Sequence, residues 1–300
     1  MDIVQIETAL GENEIDLLEK YKLPTLIEKT GIKKVFQTSE TTTEIAAKAI
    51  EKLTMLDKSH VDAMFLVTQS PDDYLPANSI TLSNITNLPK TTLTMDFNQG
   101  CSGFVQAFSI CEKLLNYYSN ILLVTADRYR SKCKPSDRST NAVFSDGASA
   151  SLLTAEGKNK IIYEDHFTDG SYRDFLFQSV GEENDGFIHM AGADIWLFTK
   201  REVVPQISKA LKFSIDQRLK IKGIYIHQAS KVVVDGIKGL LDIDKNLLFE
   251  NYSSYGNTVS STIPFLLKDF QTKLEPGEVI ILAGFGVGLT SSVLVYGNSS

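Results

Sequence analysis

The sequence predicts an α/β fold built from two duplicated halves, on three observations. Apolar strand-like runs alternate with segments of helical spacing; the second half of the chain repeats the first; and Cys101 stands on a strand-to-helix turn that has a counterpart in the repeat.

Taken in order, a short first strand is followed by a charged segment, Glu14–Lys29, that reads as helix, and by an amphipathic helix over Thr43–Leu56. Strand Val61–Thr68 leads into a loop, Gln69–Asn78, with two prolines, and a weak helix over Ser79–Leu88. The β-branched run Thr91–Phe97 is a strand. After it, Phe104, Ala107, Phe108, Cys111, Leu114, Leu115 and Tyr118 recur at helical spacing. Ile121–Asp127 is a buried strand, Arg128–Asn141 a polar loop and Ala142–Thr154 a glycine-punctuated strand pair. Such alternation builds a mostly parallel sheet with helices packed on it.

The repeat carries more information than any single element. Met64-Phe65-Leu66-Val67 followed by Thr68-Gln69-Ser70 matches Gly223-Ile224-Tyr225-Ile226 followed by His227-Gln228-Ala229. Gly100-Cys101 opens its helix as Gly256-Asn257 opens another, which carries Val259, Ile263, Leu266, Leu267 and Phe270 on one face and Pro264 near its start. Ile121–Val124 matches Val279–Leu282. Thr68 precedes Cys101 by 33 residues and His227 precedes Asn257 by 30, while Cys101 to Val124 and Asn257 to Ile280 are both 23. The halves are therefore drawn as 1–156, carrying Cys101, and 157–300, carrying His227 and Asn257. All three residues are expected at carboxyl ends of strands, where open α/β sheets bind ligands.

Composition sets the class. Three hundred residues bury a large core. A net charge of −7 is the wrong sign for a dedicated nucleic-acid binder. Three cysteines form no disulfide framework, and Met1-Asp2-Ile3 lacks the layout of a signal peptide, so a cytoplasmic setting is expected. Val279–Ser300 is uncharged and long enough to span a bilayer, but Gly284-Phe285-Gly286-Val287-Gly288 breaks a helix there. Two buried strands around a glycine turn are predicted, with no membrane insertion.

Cys101 at a helix N-terminus meets unpaired N–H groups and the positive end of the macrodipole, which favour a thiolate. Gly100 and Gly103 beside it leave room for a substrate carbonyl. A nucleophile and a buried small hydrophobe are the two readings of such a cysteine.

Gln99-Gly100-Cys101-Ser102-Gly103, His227-Gln228-Ala229, Tyr255-Gly256-Asn257-Thr258 and Gly284-Phe285-Gly286-Val287-Gly288 resemble the four signatures of β-ketoacyl-ACP synthase III, in the thiolase superfamily. Phe144-Ser145-Asp146-Gly147-Ala148 and Lys29-Thr30-Gly31-Ile32 resemble two further segments of that family, so the likeness runs from Lys29 to Tyr296. It implies a thiolase-like fold with a layered αβαβα core. It also implies a decarboxylative condensation of an acyl thioester, acyl-CoA or acyl-carrier, with malonyl-ACP through an acyl-Cys101 intermediate. Backbone N–H groups of Cys101 and of the Gly286-Val287 loop would hold the oxyanion. His227 and Asn257 would donate hydrogen bonds to the malonyl thioester carbonyl and stabilise the enolate left by decarboxylation.

Within the superfamily, a hydroxymethylglutaryl-CoA synthase needs a glutamate where Val67-Thr68-Gln69 stands. A thiolase needs a second cysteine near the C-terminal glycine loop, and none follows Cys133. An ester- or amide-forming acyltransferase on the same scaffold is the alternative. A cysteine hydrolase and a non-catalytic subunit of a condensing complex are rivals of other classes. For substrate and carrier binding the resemblance implies Arg138 against the CoA adenine, Leu75 reaching a partner's acyl pocket in a homodimer, and Phe285 in the glycine loop. Thr25-Leu26 replaces the family's tryptophan, the only tryptophan being Trp196. Val232 replaces an arginine for which Lys231 and Lys238, on one helical face, are substitutes, with Lys200 and Arg201 as further candidates. No tightly bound cofactor is implied: CoA or phosphopantetheine thioesters are substrates, and acyl carrier protein is the partner. His60, His166 and His189 read as surface or loop residues without metal-ligand spacing, Cys111 as core and Cys133 as incidental.

Overall fold

A computed structural model describes residues 1–179 and 186–298. The chain opens with β1 (Asp2–Leu10) and β2 (Asn13–Asp16), then α1 (Leu17–Tyr21), α2 (Pro24–Thr30) and β3 (Lys34–Gln37). The single helix expected over Glu14–Lys29 is thus a strand and two short helices. Lys22 takes a left-handed φ of 53° and closes α1, and Pro24 starts α2, where its missing N–H costs nothing. Glu14 sits in β2, antiparallel to β3, and pairs with Lys34 at 2.8 Å.

There follow α3 (Thr42–Glu51), β4 (Ala63–Val67), α4 (Asn78–Ile85), β5 (Leu93–Phe97), α5 (Gly100–Leu114), β6 (Asn120–Asp127), α6 (Arg138–Asn141) and β7 (Gly147–Thr154). The Thr41–Glu44 capping box fixes the start of α3. One five-stranded sheet runs β1-β7-β6-β4-β5, with β4 parallel to both β5 and β6. Ala142–Thr154 supplies one strand, not two: β7 alone lies antiparallel to both β1 and β6.

The rest comprises β8 (Lys160–Thr168), β9 (Leu176–Gln178), β10 (Ile188–Met190), α7 (Gly192–Phe198), α8 (Val204–Asp216), β11 (Lys220–Ile226), α9 (Lys231–Leu240), α10 (Tyr252–Tyr255), α11 (Thr262–Asp269), β12 (Glu278–Gly286) and β13 (Thr290–Gly297). A π-helical turn, Thr199–Val203, joins α7 to α8. The second sheet runs β11-β12-β13-β8 and repeats four of the five strands of the first: β11 for β4, β12 for β6, β13 for β7 and β8 for β1. The uncharged stretch from Val279 is the antiparallel pair β12–β13; residues 299 and 300 lie outside the described part. Among the described residues no helix is long and apolar enough to cross a membrane.

Five layers result. Helix α5 packs on β4 and β6 of one sheet and on β12 and β13 of the other; α11 packs on β1, β7 and β11, so these two helices fill the middle. Helices α3 and α4 cover the outer face of the first sheet and α8 that of the second. Phe104 and Phe108 of α5 are fully buried, and Phe108 meets Tyr296 of β13 edge-on at 5.2 Å. Strands covered on both faces explain the unbroken apolar runs of β4, β6 and β12. This is the thiolase-like αβαβα arrangement.

Candidate active site

Cys101 is the second residue of α5, delivered there by the parallel strand β5, and is 6% exposed. A Cβ built on Gly100 would lie 2.1 Å from Gln69 Oε1, and one on Gly103 would lie 2.4 Å from Val67 Cγ1. These glycines therefore let α5 close on β4 and the loop after it. They do not open space for a substrate, as the sequence alone suggested. Gly286 at the end of β12 does face the sulfur: its φ is 153°, and a Cβ there would stand 3.1 Å from Cys101 Sγ. The N–H groups of Val287 and of Cys101 itself hydrogen-bond the thiol.

The thiolate expected from the helix N-terminus is not the resting state. Burial, reinforced by the nearby Asp127 carboxylate, pushes the Cys101 thiol up to about 12 against the two backbone donors. A helix terminus supplies at most ~2 kcal/mol in the other direction, less than the roughly 4 kcal/mol that such a shift represents.

His227 follows β11 directly, with its N–H bonded to Ala283 O of β12 at 2.9 Å. Its Nδ1 lies 2.7 Å from Thr262 Oγ1 at the start of α11, and Phe285 meets its ring edge-on at 5.6 Å. Burial lowers the imidazole to about 3, so it is neutral. The Thr262 hydroxyl also lies 3.2 Å from Val259 O, so its one proton is shared between that carbonyl and His227 Nδ1, and Nε2 is the ring nitrogen left without a protein partner among the described residues.

Asn257 does not end a strand, contrary to expectation. The second sheet lacks a full counterpart of β5: only Leu248 makes a parallel bridge to Ile224 of β11. Asn257 instead lies in a loop bridged to Phe144, its N–H bonded to Val143 O and its carbonyl accepting from Ser145 N–H, both at 2.9 Å. Its Oδ1 accepts from Val259 N–H at 2.9 Å, which leaves its Nδ2 hydrogens for a ligand. Val259 reaches that bond with a φ of 56°, a strained value for a β-branched residue. Cys101 and His227 thus both rest on the Ala283–Gly286 end of β12, and the 257–262 segment carries Asn257 and holds His227.

Behind Cys101 lies a residue that sequence reasoning missed. Asp127, at the end of β6, is fully buried and accepts from Gln69 N–H at 2.8 Å, Ser70 Oγ at 3.4 Å, Ser260 N–H at 3.2 Å and Ser260 Oγ at 2.5 Å. It ties the loop after β4 to the segment before α11. Burial raises its carboxyl to about 6 despite those donors. The available signal was one acid closing an apolar run, Ile121 to Ala126. Thr262 gave none.

The other expected residues fall as follows. Arg138 is exposed on α6. Leu75 is 88% and Tyr74 80% exposed on the loop after β4. Phe285 is buried against His227, so its reach is to the imidazole. Lys231 and Lys238 share α9, yet each has an acid beside it: Lys231 pairs with Asp235, and Lys238 with Glu250 at 3.5 Å. Lys200 and Arg201 are exposed in the π-turn. Trp196 packs on Gly236 of α9. Cys111 is core. Cys133 is too: it is buried, its thiol 3.2 Å from Tyr129 O. His166 and His189 lie on strands, and His60 in a 3-10 turn beside Asp57. Among the described residues no group of three or more His, Cys, Asp or Glu is placed to hold a metal.

Two cavities stand out. One of about 990 Å³, lined by Asp2, Tyr225, Leu274 and Tyr296, touches none of these site residues. The other, about 570 Å³, is bounded by Val287, Gly288, Tyr129 and Gln69, next to Cys101.

The chain is similar to a known family along most of its length. Residues 95–170 match the family profile described as 3-oxoacyl-[acyl-carrier-protein (ACP)] synthase III, and residues 217–297 match the profile of its C-terminal part. The β-ketoacyl-[acyl-carrier-protein] synthase III of Streptococcus agalactiae is 30% identical over 285 residues, covering 89% of this chain and 88% of that one. The enzyme of the same name from Streptococcus sanguinis is 31% identical over 290 residues, with the same coverage. The crystal structure of 3-oxoacyl-[acyl-carrier-protein] synthase III from Aquifex aeolicus superposes with a TM-score of 0.87 at 25% identity, covering 98% of this chain and 99% of that one. The chain belongs to the 3-oxoacyl-[acyl-carrier-protein] synthase III family of acyl-transferring condensing enzymes.

Proposed function

We propose that this enzyme condenses an acyl thioester with malonyl-carrier protein, with Cys101, His227 and Asn257 as its catalytic residues. In the first half-reaction the Cys101 sulfur bonds the acyl carbon, the donor's carbon–sulfur bond breaks, and the thiol proton leaves on the departing thiol. The N–H groups of Cys101 and Val287, already directed at the sulfur, hold the oxyanion. In the second, the malonyl carboxylate leaves as carbon dioxide, and the enolate carbon attacks the acyl group. The carbon–sulfur bond to Cys101 breaks, and the released thiolate takes up one proton from solvent to regenerate the thiol.

The observation that carries this reading is the polarity of the two partner side chains. Val259 N–H occupies Asn257 Oδ1, so Asn257 presents its amide N–H donors, and Thr262 occupies Nδ1 of the neutral His227, so its Nε2 is the nitrogen turned to a ligand and on this reading carries the proton. An enolate oxygen needs donors, whereas a hydrolase needs a base beside its thiol. Nothing in the site favours the ester- or amide-forming alternative.

Donor and carrier contacts rest on the same reading. CoA or carrier-bound phosphopantetheine thioesters are substrates, with no tightly bound cofactor; Arg138 lies against the CoA adenine, and Lys231 and Lys238 meet the acidic carrier. A homodimer forms across β5, an edge strand whose Leu93 and Met95 are exposed beside Ile80 and Ile85 of α4 and the protruding Leu75. The halves are 1–156 and 157–300, with the reacting groups between them.

Acyl-CoA and malonyl-carrier are incubated with the protein, and carbon dioxide and the 3-oxoacyl product are measured. Cys101→Ala abolishes both. His227→Ala and Asn257→Ala each lower condensation by roughly 10²–10³-fold, the worth of one well-placed donor, while still accepting the acyl group on Cys101. No carbon dioxide from any primer, or full activity of Cys101→Ala, overturns the reading.

A further inference from the structure

The cleft of about 570 Å³ begins at Val287, whose N–H bonds the Cys101 thiol. Arg138, Lys231 and Lys238 do not line it, so on the reading above, on which this inference rests, it is room for the acyl chain and not for the carrier arm. Its buried end is of mixed character. Leu176 and Ile188 supply apolar wall, but Tyr129, also buried, donates its hydroxyl to Gln69 Oε1 at 2.6 Å. Tyr129 lies close to both Cys101 and Asp127. Gln69 is held from behind, its N–H on Asp127 Oδ1 and its side chain over Gly100. The bond to Tyr129 leaves the phenol oxygen able to accept, and among the described residues no partner takes the Gln69 Nε2 hydrogens.

A plain alkyl chain laid on this pair strips its water and returns no hydrogen bond, which costs more than a missing contact. A chain carrying an oxygen restores the bond. Sites built to bond a substrate hydroxyl discriminate strongly against the analogue lacking it. We infer that the enzyme is primed by a short acyl thioester bearing a hydroxyl or carbonyl oxygen on its chain, read by Gln69 and Tyr129, in preference to an alkyl primer of equal length.

The test is a competition. Butyryl-CoA and 3-hydroxybutyryl-CoA at equal concentration are offered to the full chain, and intact mass follows the initial rate of each acyl-enzyme. The hydroxyacyl form leads by roughly tenfold or more, the scale of one satisfied buried hydrogen bond. The double variant Tyr129→Phe with Gln69→Leu, close in volume, brings the ratio to parity or reverses it. Preference of the natural chain for butyryl, or an unchanged ratio in the variant, overturns the inference. Label on Cys101 without preference removes this inference alone; no label from any thioester removes the nucleophile as well.

Discussion

At the scale of single residues, environment decides protonation, and twice against the simplest expectation. The buried Cys101 thiol is pushed up to about 12. Its alkylation by iodoacetamide therefore rises about tenfold per pH unit with no plateau below pH 9, as a stopped assay with mass detection will read. Asp127 and His227 link stability to pH with opposite signs. Asp127 holds its proton up to about pH 6 in the fold but only to near the ordinary 3.8 when unfolded. Between those values the folded chain binds more protons, so stability falls as pH rises, by about 3 kcal/mol in full. His227 is neutral in the fold down to about 3 and titrates near 6.5 when unfolded, so its contribution is lost as pH falls through that window. Asp127→Asn removes the first effect: urea unfolding at pH 4.5 and pH 7 shows a steeper gain of stability with pH than in the natural chain.

At the scale of elements, the end of β12 is the tightest point. Gly286 combines a positive φ with direct contact on Cys101, so Gly286→Ala strains the strand end and displaces the sulfur. Condensation falls by at least ~10²-fold, the usual consequence of misplacing a reacting atom by about an ångström, while thermal melting shows a folded protein. The repeat of strands was legible because apolar runs and their spacing survive in both halves. Asn257 was legible as a residue but not in its setting. The strand that delivers Cys101 has shrunk in the second half to a single bridge at Leu248, and no local pattern announces a lost strand. Glu14–Lys29 misled for a related reason: charge at helical spacing also suits an exposed ribbon, and only pairing with β3 selects it.

At the scale of the whole molecule, α5 and α11 lie between the two sheets, and the reacting groups stand where those sheets end. In the proposed homodimer the exposed edge at β5 is the seam. Met95→Arg places charge on that edge, and light scattering after gel filtration then reports a monomer where the natural chain elutes as a dimer; a natural chain that is already monomeric at micromolar concentration removes the dimer. The sequence by itself determined the α/β class and the duplication and singled out Cys101, His227 and Asn257 as candidates, because these are written in runs, spacings and short motifs. Only the tertiary structure decided that the thiol rests protonated, that Thr262 holds His227 Nδ1, that Asp127 ties the halves behind the sulfur, and that Gln69 and Tyr129 line one cleft. Each of those depends on burial and on partners 35 or 133 residues away in some cases, or 60 in another, and no local stretch of chain encodes them.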